Sequence, residues 1–491
     1  MLRDSDFVAL VGLSGAGAFA GTASEIDKYS SHILLRHVRF EKCGINNDPG
    51  RAADACDLFL AHGDHILVED STFIHGGHTQ LNGTGPYQIW RRITGNGNWQ
   101  DVSATPHFTG NHAATWLTNC VRSECQGSAG GFFGPLVEDS IFFGGGTEPE
   151  HASHNELIQI PGLNPIVRGN FLVQRNTTQA FSFCGSSQIE TTPTVRDALQ
   201  HIYNNTTWGG NINSMNPNNT YGGGTHSYSP DLCSGIKIKN NLFQGIETGS
   251  QPGYPWAYAF AYPSASSDLG SWPNGWKGQE IFGNVFGAHP VAPTSHLEIR
   301  MFGQDGGAVP VTDGTDNNDD GDCNDTGDTG RWPDNVCGNR ASALVWANGT
   351  TRAVADPVPS HPSVLRQELV LAPTAAYGIR DAWPLTTTTD SGTSATVLTL
   401  ADARYFKDSW GFSYTWGGLH TEYGDCIAIG ATASTAATSA QKTRITAINY
   451  ATGVVTVSPA VNHVSGSPVW PATNNGDGTC GAVWDNRGAA Q

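Results

Sequence analysis

Lysine and methionine are almost missing, at 7 and 3 of 491 residues. Charged side chains of every kind make up only 14%. Both scarcities disfavour long amphipathic helices, which draw on such residues. No Lys/Arg run occurs and the formal net charge is −18, so the basic face of a nucleic-acid binder is lacking. No apolar run reaches the ~18 residues that a membrane span needs. No Gly-X-Y period accompanies the 60 glycines, which excludes collagen. No CxxC links any of the 10 cysteines, so zinc ribbons and thioredoxin-like chemistry lose their usual signature. Walker A, GxGxxG in a strand–helix setting, GxSxG and HExxH are missing as well.

What remains points to a turn-rich β protein. The 14 Trp, 20 Phe and 13 Tyr supply core material, and the Gly, Asn, Thr and Ser load supplies turns. An even cysteine count fits disulfides in an oxidising compartment better than scattered free thiols. The preferred pairs are Cys323 with Cys337 and Cys426 with Cys480. Residues 7–23 loosely imitate a signal peptide, but Arg3 is offset by Asp4 and Asp6. They read as structure.

One short phrase recurs: HILLRHVRF (32–40), HILVEDSTF (65–73), GPLVEDSIF (134–142), NPIVRGNFL (164–172), LQHIYNNTT (199–207), GIKIKNNLF (235–243) and GQEIFGNVF (278–286). QIWRRI (88–93) and TWLTNCV (115–121) fit more loosely. One aligned column is apolar throughout: Leu35, Val68, Trp90, Leu117, Val137, Val167, Ile202, Ile238 and Ile281. A second reads Phe40, Phe73, Phe142, Leu172, Thr207, Phe243 and Phe286. Between them a polar position becomes Asn170, Asn205, Asn241 and Asn284. Each copy reads as strand, bend, strand. One unit cannot bury its apolar residues alone, but stacked units can, like over like. Asn tolerates a left-handed bend, which accounts for an Asn column there. The pattern is that of an all-β, parallel β-solenoid.

The phrases IVRGNF, IKIKNNLF and IFGNVF resemble the right-handed parallel β-helix superfamily, the pectate-lyase-like proteins, over residues 5–290. The resemblance implies a right-handed β-helix and a place among polysaccharide lyases, glycoside hydrolases, epimerases, tailspikes and adhesins. It does not choose one activity among them. Residues 1–290 are therefore read as the β-helix. Residues 291–394 read as a long irregular, loop-rich excursion. Residues 395–491 read as a small β-barrel-like module and tail, with strands at 395–401, 426–430, 443–448 and 453–459. This last part resembles β modules that accompany β-helix proteins in bacteria and phages.

Three groups of residues could carry chemistry. In the acidic loop 313–328, Asp316, Asn318, Asp320 and Gly321 match the opening D-x-N-x-D-G of a calcium loop. Asp322, Asp325 and Asp328 could complete the oxygen shell that Ca2+ requires. The closing Glu of an EF-hand is missing, so a structural calcium site competes with a solvated loop pinned by Cys323 and Cys337. The second group is Glu150, His151, His154, Glu156 and Gln159, just before a strand, where carboxylates and imidazoles could do acid–base work. His78 opens a related phrase, HTQL; a ladder of strand-start histidines is the structural alternative. The third is His62, His65, His75 and His78 with Asp64 and Asp70, as a metal site or as stacked polar residues.

A lyase must neutralise a uronate carboxylate, remove the α-proton and protonate the leaving oxygen. Arg91, Arg92 and Arg168 could meet an acidic sugar if they line an exposed strand. Trp208 could stack on a sugar ring. A hydrolase needs two carboxylates across a cleft. Asp70 and Asp139 share a bend column, but an intervening pair of coils would hold them about 15 Å apart at ~4.8 Å per strand. The expected catalytic residues are accordingly His154, Glu156, Glu150 and Arg168. The expected substrate contacts are His78, Gln159, Arg91, Arg92 and Trp208. The expectation is a secreted protein that cleaves an extracellular polysaccharide, with structural calcium. The competing reading is a non-catalytic fibre, tailspike-like or sugar-binding surface protein, of the cell or a virion, in which oligomers or filaments would form.

Overall fold

A computed structural model describes residues 6–12, 14–18, 25–26, 29–43, 59–74, 81–83, 87–96, 108–109, 136–144, 158–160, 165–174, 181–183, 200–208, 237–244, 260–264, 280–286, 299–303, 308–310, 336–337, 340–341, 382–412, 422–485 and 487–488. Among the described residues the only helical segments are two 3-10 turns, Ala403–Tyr405 and Ala437–Ser439. The protein is all-β.

Two parallel sheets of ten strands each run the length of the repeat. The first extends from Asp6–Val11 to Val336–Cys337, the second from Ser14–Ala18 to Arg340–Ala341. A third parallel sheet has six strands, from Glu25–Ile26 to Phe181–Phe183. Strands of the first two sheets alternate along the chain, an arrangement compatible with a β-solenoid. The imitation of a signal peptide at 7–23 includes the first strand of each.

Register matches the repeat. Leu35, Val68, Trp90, Val137, Val167, Ile202, Ile238 and Ile281 share one line across the first sheet, all buried. Phe40, Phe73, Phe142, Leu172, Thr207, Phe243 and Phe286 share one line across the second. Leu117 lies outside the described residues. Trp90 pairs directly with Val137. At the other end Val336 continues the line from Ile281. The sheets thus pass the expected boundary at 290. A further copy of the phrase, VCGNRA (336–341), follows the pattern of IFGNVF.

The bend differs from expectation in one detail. The left-handed residues are those just before the Asn column: Gly169, Asn204, Asn240 and Gly283, with φ of 65°, 52°, 55° and 67°. Asn170, Asn205, Asn241 and Asn284 are instead buried and linked in a ladder. Each Nδ2 donates to the next Oδ1 at 2.9, 2.9 and 3.0 Å. Each of the last three Oδ1 atoms also accepts the backbone N–H of the Asn one rung before. A buried amide needs every partner it can find, and stacking identical amides supplies them. Ser71 and Ser140 fill the same position in earlier rungs, each bonded to backbone.

The C-terminal strands form an antiparallel sheet of seven, from Thr386–Thr387 to Cys480–Val483. A bridge between Thr388 and Leu400 joins its two ends, so it closes as a small barrel. The strands expected at 395–401, 426–430, 443–448 and 453–459 fall on Gly392–Thr399, Cys426–Ile429, Gln441–Asn449 and Val454–His463. Cys426 and Cys480 are disulfide-bonded, as preferred. The barrel packs on the outward face of the first sheet. Leu34, Leu67, Ile89, Leu136, Ile166 and Tyr203 share one apolar cluster with Leu385, Tyr405, Phe406, Phe412 and Trp484.

Candidate functional site

Strand alternation decides which side chains meet the barrel. The Leu35–Ile281 line faces inward, so its neighbours on both sides face outward. One neighbouring line is apolar for five rungs, Leu34 to Ile166, and then becomes His201, Lys237 and Glu280. The other reads Arg36, Glu69, Arg91, Glu138 and Arg168, alternating in sign, and then Tyr203, Lys239 and Phe282.

The barrel completes this ladder. Arg91 Nε donates to Glu69 at 2.8 Å, and its two terminal nitrogens grip Glu422 at 3.0 and 2.7 Å. Arg168 grips Asp425 at 2.6 and 2.8 Å, Glu138 at 2.7 and 2.9 Å, and Tyr203 Oη at 2.9 Å. Lys407 of the barrel donates to Glu422 at 2.6 Å. Further along, His201 Nε2 lies 2.9 Å from Asp402 Oδ2, and Lys239 Nζ lies 2.7 Å from Glu280. Lys239 also stands over the rings of Phe282 and Tyr405.

These groups are buried or half-buried, and pairing governs their ionisation. Burial alone would lift the Asp425 carboxyl, but the Arg168 guanidinium outweighs it and holds Asp425 below its ordinary range. Burial of Glu280 is outweighed in the same way by Lys237 and Lys239, which lower it to about 2. His201 holds Asp402 down despite burial. Asp139 goes the other way: burial, then the like charge of Glu138, push it up to about 7 against the pull of Arg168 and Arg92.

The expected substrate-facing arginines therefore divide. Arg168 is 5% exposed and Arg91 is fully engaged at the barrel, so neither lines an open strand. Of the three, only Arg92 is exposed; it sits at a left-handed bend and makes a bidentate pair with Asp70 at 2.7 and 2.9 Å. Asp70 and Asp139 are separated by the Arg92 rung alone. Their backbone spacing is two strands, about 10 Å, rather than 15 Å.

Gln159 lies in strand Ile158–Ile160, in register with Thr109 and Ser182; Thr109 in turn aligns with Asn82. Trp208 closes strand Thr206–Trp208 of the second sheet. His78, Glu150, His154 and Glu156 lie outside the described residues. So do Asp316, Asn318, Asp320, Asp322, Asp325 and Asp328, together with Cys323. In the third group, His65 stacks on His32 with ring centres 4.7 Å apart and bonds Asp64 at 2.8 Å. Among the described residues no three His, Cys, Asp or Glu side chains gather as a metal site, and no helix is long and apolar enough to cross a membrane.

Sequence reasoning missed the partners Glu422, Asp425, Lys407, Asp402 and His201. The alternating signs of Arg36, Glu69, Arg91, Glu138 and Arg168 were a readable signal that a buried face follows. No protein-family model matches the chain, and no curated protein matches it.

Proposed function

We propose that the protein is an extracellular right-handed parallel β-helix protein, pectate-lyase-like in architecture, that cleaves a polysaccharide along the flank of its third sheet. The observation that carries the reading is a coincidence of sequence and register. In sequence, His78 stands three residues before strand Leu81–Gly83, and His154 four residues before strand Ile158–Ile160. Those two strands flank a single strand, Phe108–Thr109, and parallel strands are entered from the same end. Their spacing is about 10 Å, a distance on the scale of a disaccharide. Four successive positions of one register line, Asn82, Thr109, Gln159 and Ser182, are polar residues before the line reaches Leu60.

In this reading His154 and Glu156 exchange protons with the sugar, Glu150 assists, and His78 and Gln159 hold the chain. Arg91 and Arg168 are spent on the barrel, and Arg92 stands at the bend between the first two sheets, so none of the three is assigned to this flank. The acidic loop at 316–328 would hold calcium for stability. The disulfide Cys426–Cys480 suits an oxidising, extracellular setting. A non-catalytic surface or fibre protein is the second reading, favoured by the use of two of the three arginines for internal ion pairs. The test is a panel of acidic and neutral polysaccharides, followed by ultraviolet absorbance of unsaturated uronates and by reducing ends. Activity lost in His154→Ala and Glu156→Gln supports cleavage. Silence across the panel, with retention on a polysaccharide column, gives the second reading. A chelator that leaves the melting temperature unchanged removes the calcium site.

A further inference from the structure

The interface beneath the barrel is matched in charge. On the first sheet, Arg36, Arg91, Arg168, Lys237 and Lys239 exceed Glu69, Glu138 and Glu280 by two positive charges. On the barrel, Asp402, Glu422 and Asp425 exceed Lys407 by two negative charges. Neither surface can be left in water-poor surroundings without the other, because an unpaired buried charge is costly.

The match is also one of length. Glu422 reaches Arg91, and Asp425 reaches Arg168. Arg91 and Arg168 are two rungs apart, with Glu138 between them. Two strand spacings are about 10 Å, and three residues at extended spacing also cover about 10 Å. Residues 422–425 thus reach across three stacked strands with one acidic mark for each arginine. A slip of one rung toward the first strands would set each mark against a glutamate, and a slip the other way would set Glu422 against Glu138 and Asp425 against Tyr203. Further along, Trp383 exchanges two hydrogen bonds with Asn240, at 2.7 and 3.0 Å, and its indole lies where a Cβ on Gly283 would stand.

We propose that the C-terminal barrel is a register clamp: its segment Glu422–Asp425 gauges the order and spacing of the stacked strands, and barrel and strands open only together. The partner surface is the outward face of the first sheet of the same chain, and the proposal does not depend on polysaccharide cleavage.

The experiment is hydrogen exchange read by mass spectrometry on the full chain, across a urea series. In the native chain, peptides from 136–144 and 166–174 and peptides from 426–463 should lose protection at the same urea concentration. Two separate transitions overturn the proposal without any variant. Asp425→Asn, a change in the barrel, should speed exchange in 166–174 on the order of a hundredfold, the effect of breaking a buried pair. Faster exchange confined to the barrel overturns it. Glu422→Gln carries the same prediction for 89–96, so the outcome does not rest on one variant folding.

Discussion

The two faces of the first sheet are built from alternate residues of the same strands, yet they solve burial in different ways. The inward line, Leu35 through Ile281, is apolar at every rung and stacks like on like. The outward line beside it alternates Arg and Glu for five rungs and is largely covered, from half-buried Arg36 to buried Arg168, because a barrel lies over it. Inside, the hydrophobic effect needs no orientation and tolerates exchange of one aliphatic residue for another. Outside, each charge depends on named partners at fixed distances. The inner face sets the fold; the outer face selects one way of closing it.

This contrast can be broken most strongly at Arg168. Arg168→Met leaves Asp425 and Glu138 buried and facing each other, and should cost about 3–5 kcal/mol in urea denaturation. An inward change such as Val167→Ala should cost less. Equal costs would erase the distinction between the faces. Opening Cys426–Cys480 with Cys480→Ser should cost about 2–4 kcal/mol, since the bridge closes a loop of 54 residues. The asparagine ladder is tested by Asn205→Ala. It strips the ladder of a rung that serves Asn170, Asn241 and the Val167 and Tyr203 carbonyls, at about 1–3 kcal/mol for each group left unsatisfied. A neutral result would mean the ladder is dispensable.

Arg92→Ala gives the opposite extreme. Its pair with Asp70 is exposed, and its bond to Glu69 is backed by those of Arg36 and Arg91, so the loss should stay at about 1 kcal/mol, against several for its more deeply set neighbour Arg91. A further effect concerns pH. Asp139 has its pKa raised from an ordinary 3.8 to about 7 in the folded chain, so the folded state binds more protons than the unfolded one between these values. Stability from this group is present below the unfolded value and is lost as pH rises toward 7. Asp139→Asn should flatten that slope in melting curves taken from pH 4 to 8, and Asn also accepts the left-handed backbone at φ 48°. Asp425, Asp402 and Glu280 are shifted downward, so their contribution holds above the ordinary carboxylate range and fades as the solution is acidified below it.

Much of this was legible in the chain. The apolar and Phe columns, the parallel stacking, the barrel strands and the Cys426–Cys480 pair follow from local patterns repeated along the sequence. The Asn column was noticed but given the wrong task, since bend propensity and amide stacking both favour Asn. Of the expected site residues, Gln159 could be aligned from its strand, whereas Arg91 and Arg168 could not be told from exposed arginines without their distant partners at 422 and 425.

By itself, then, the sequence determined the inward face, because apolar burial is additive along the chain and recurs at every rung. Only the tertiary structure decided the outward face. An ion pair between residues more than 250 positions apart, such as Arg168 with Asp425, is written in neither neighbourhood, and whether an arginine meets solvent, substrate or a buried carboxylate depends on what folds over it.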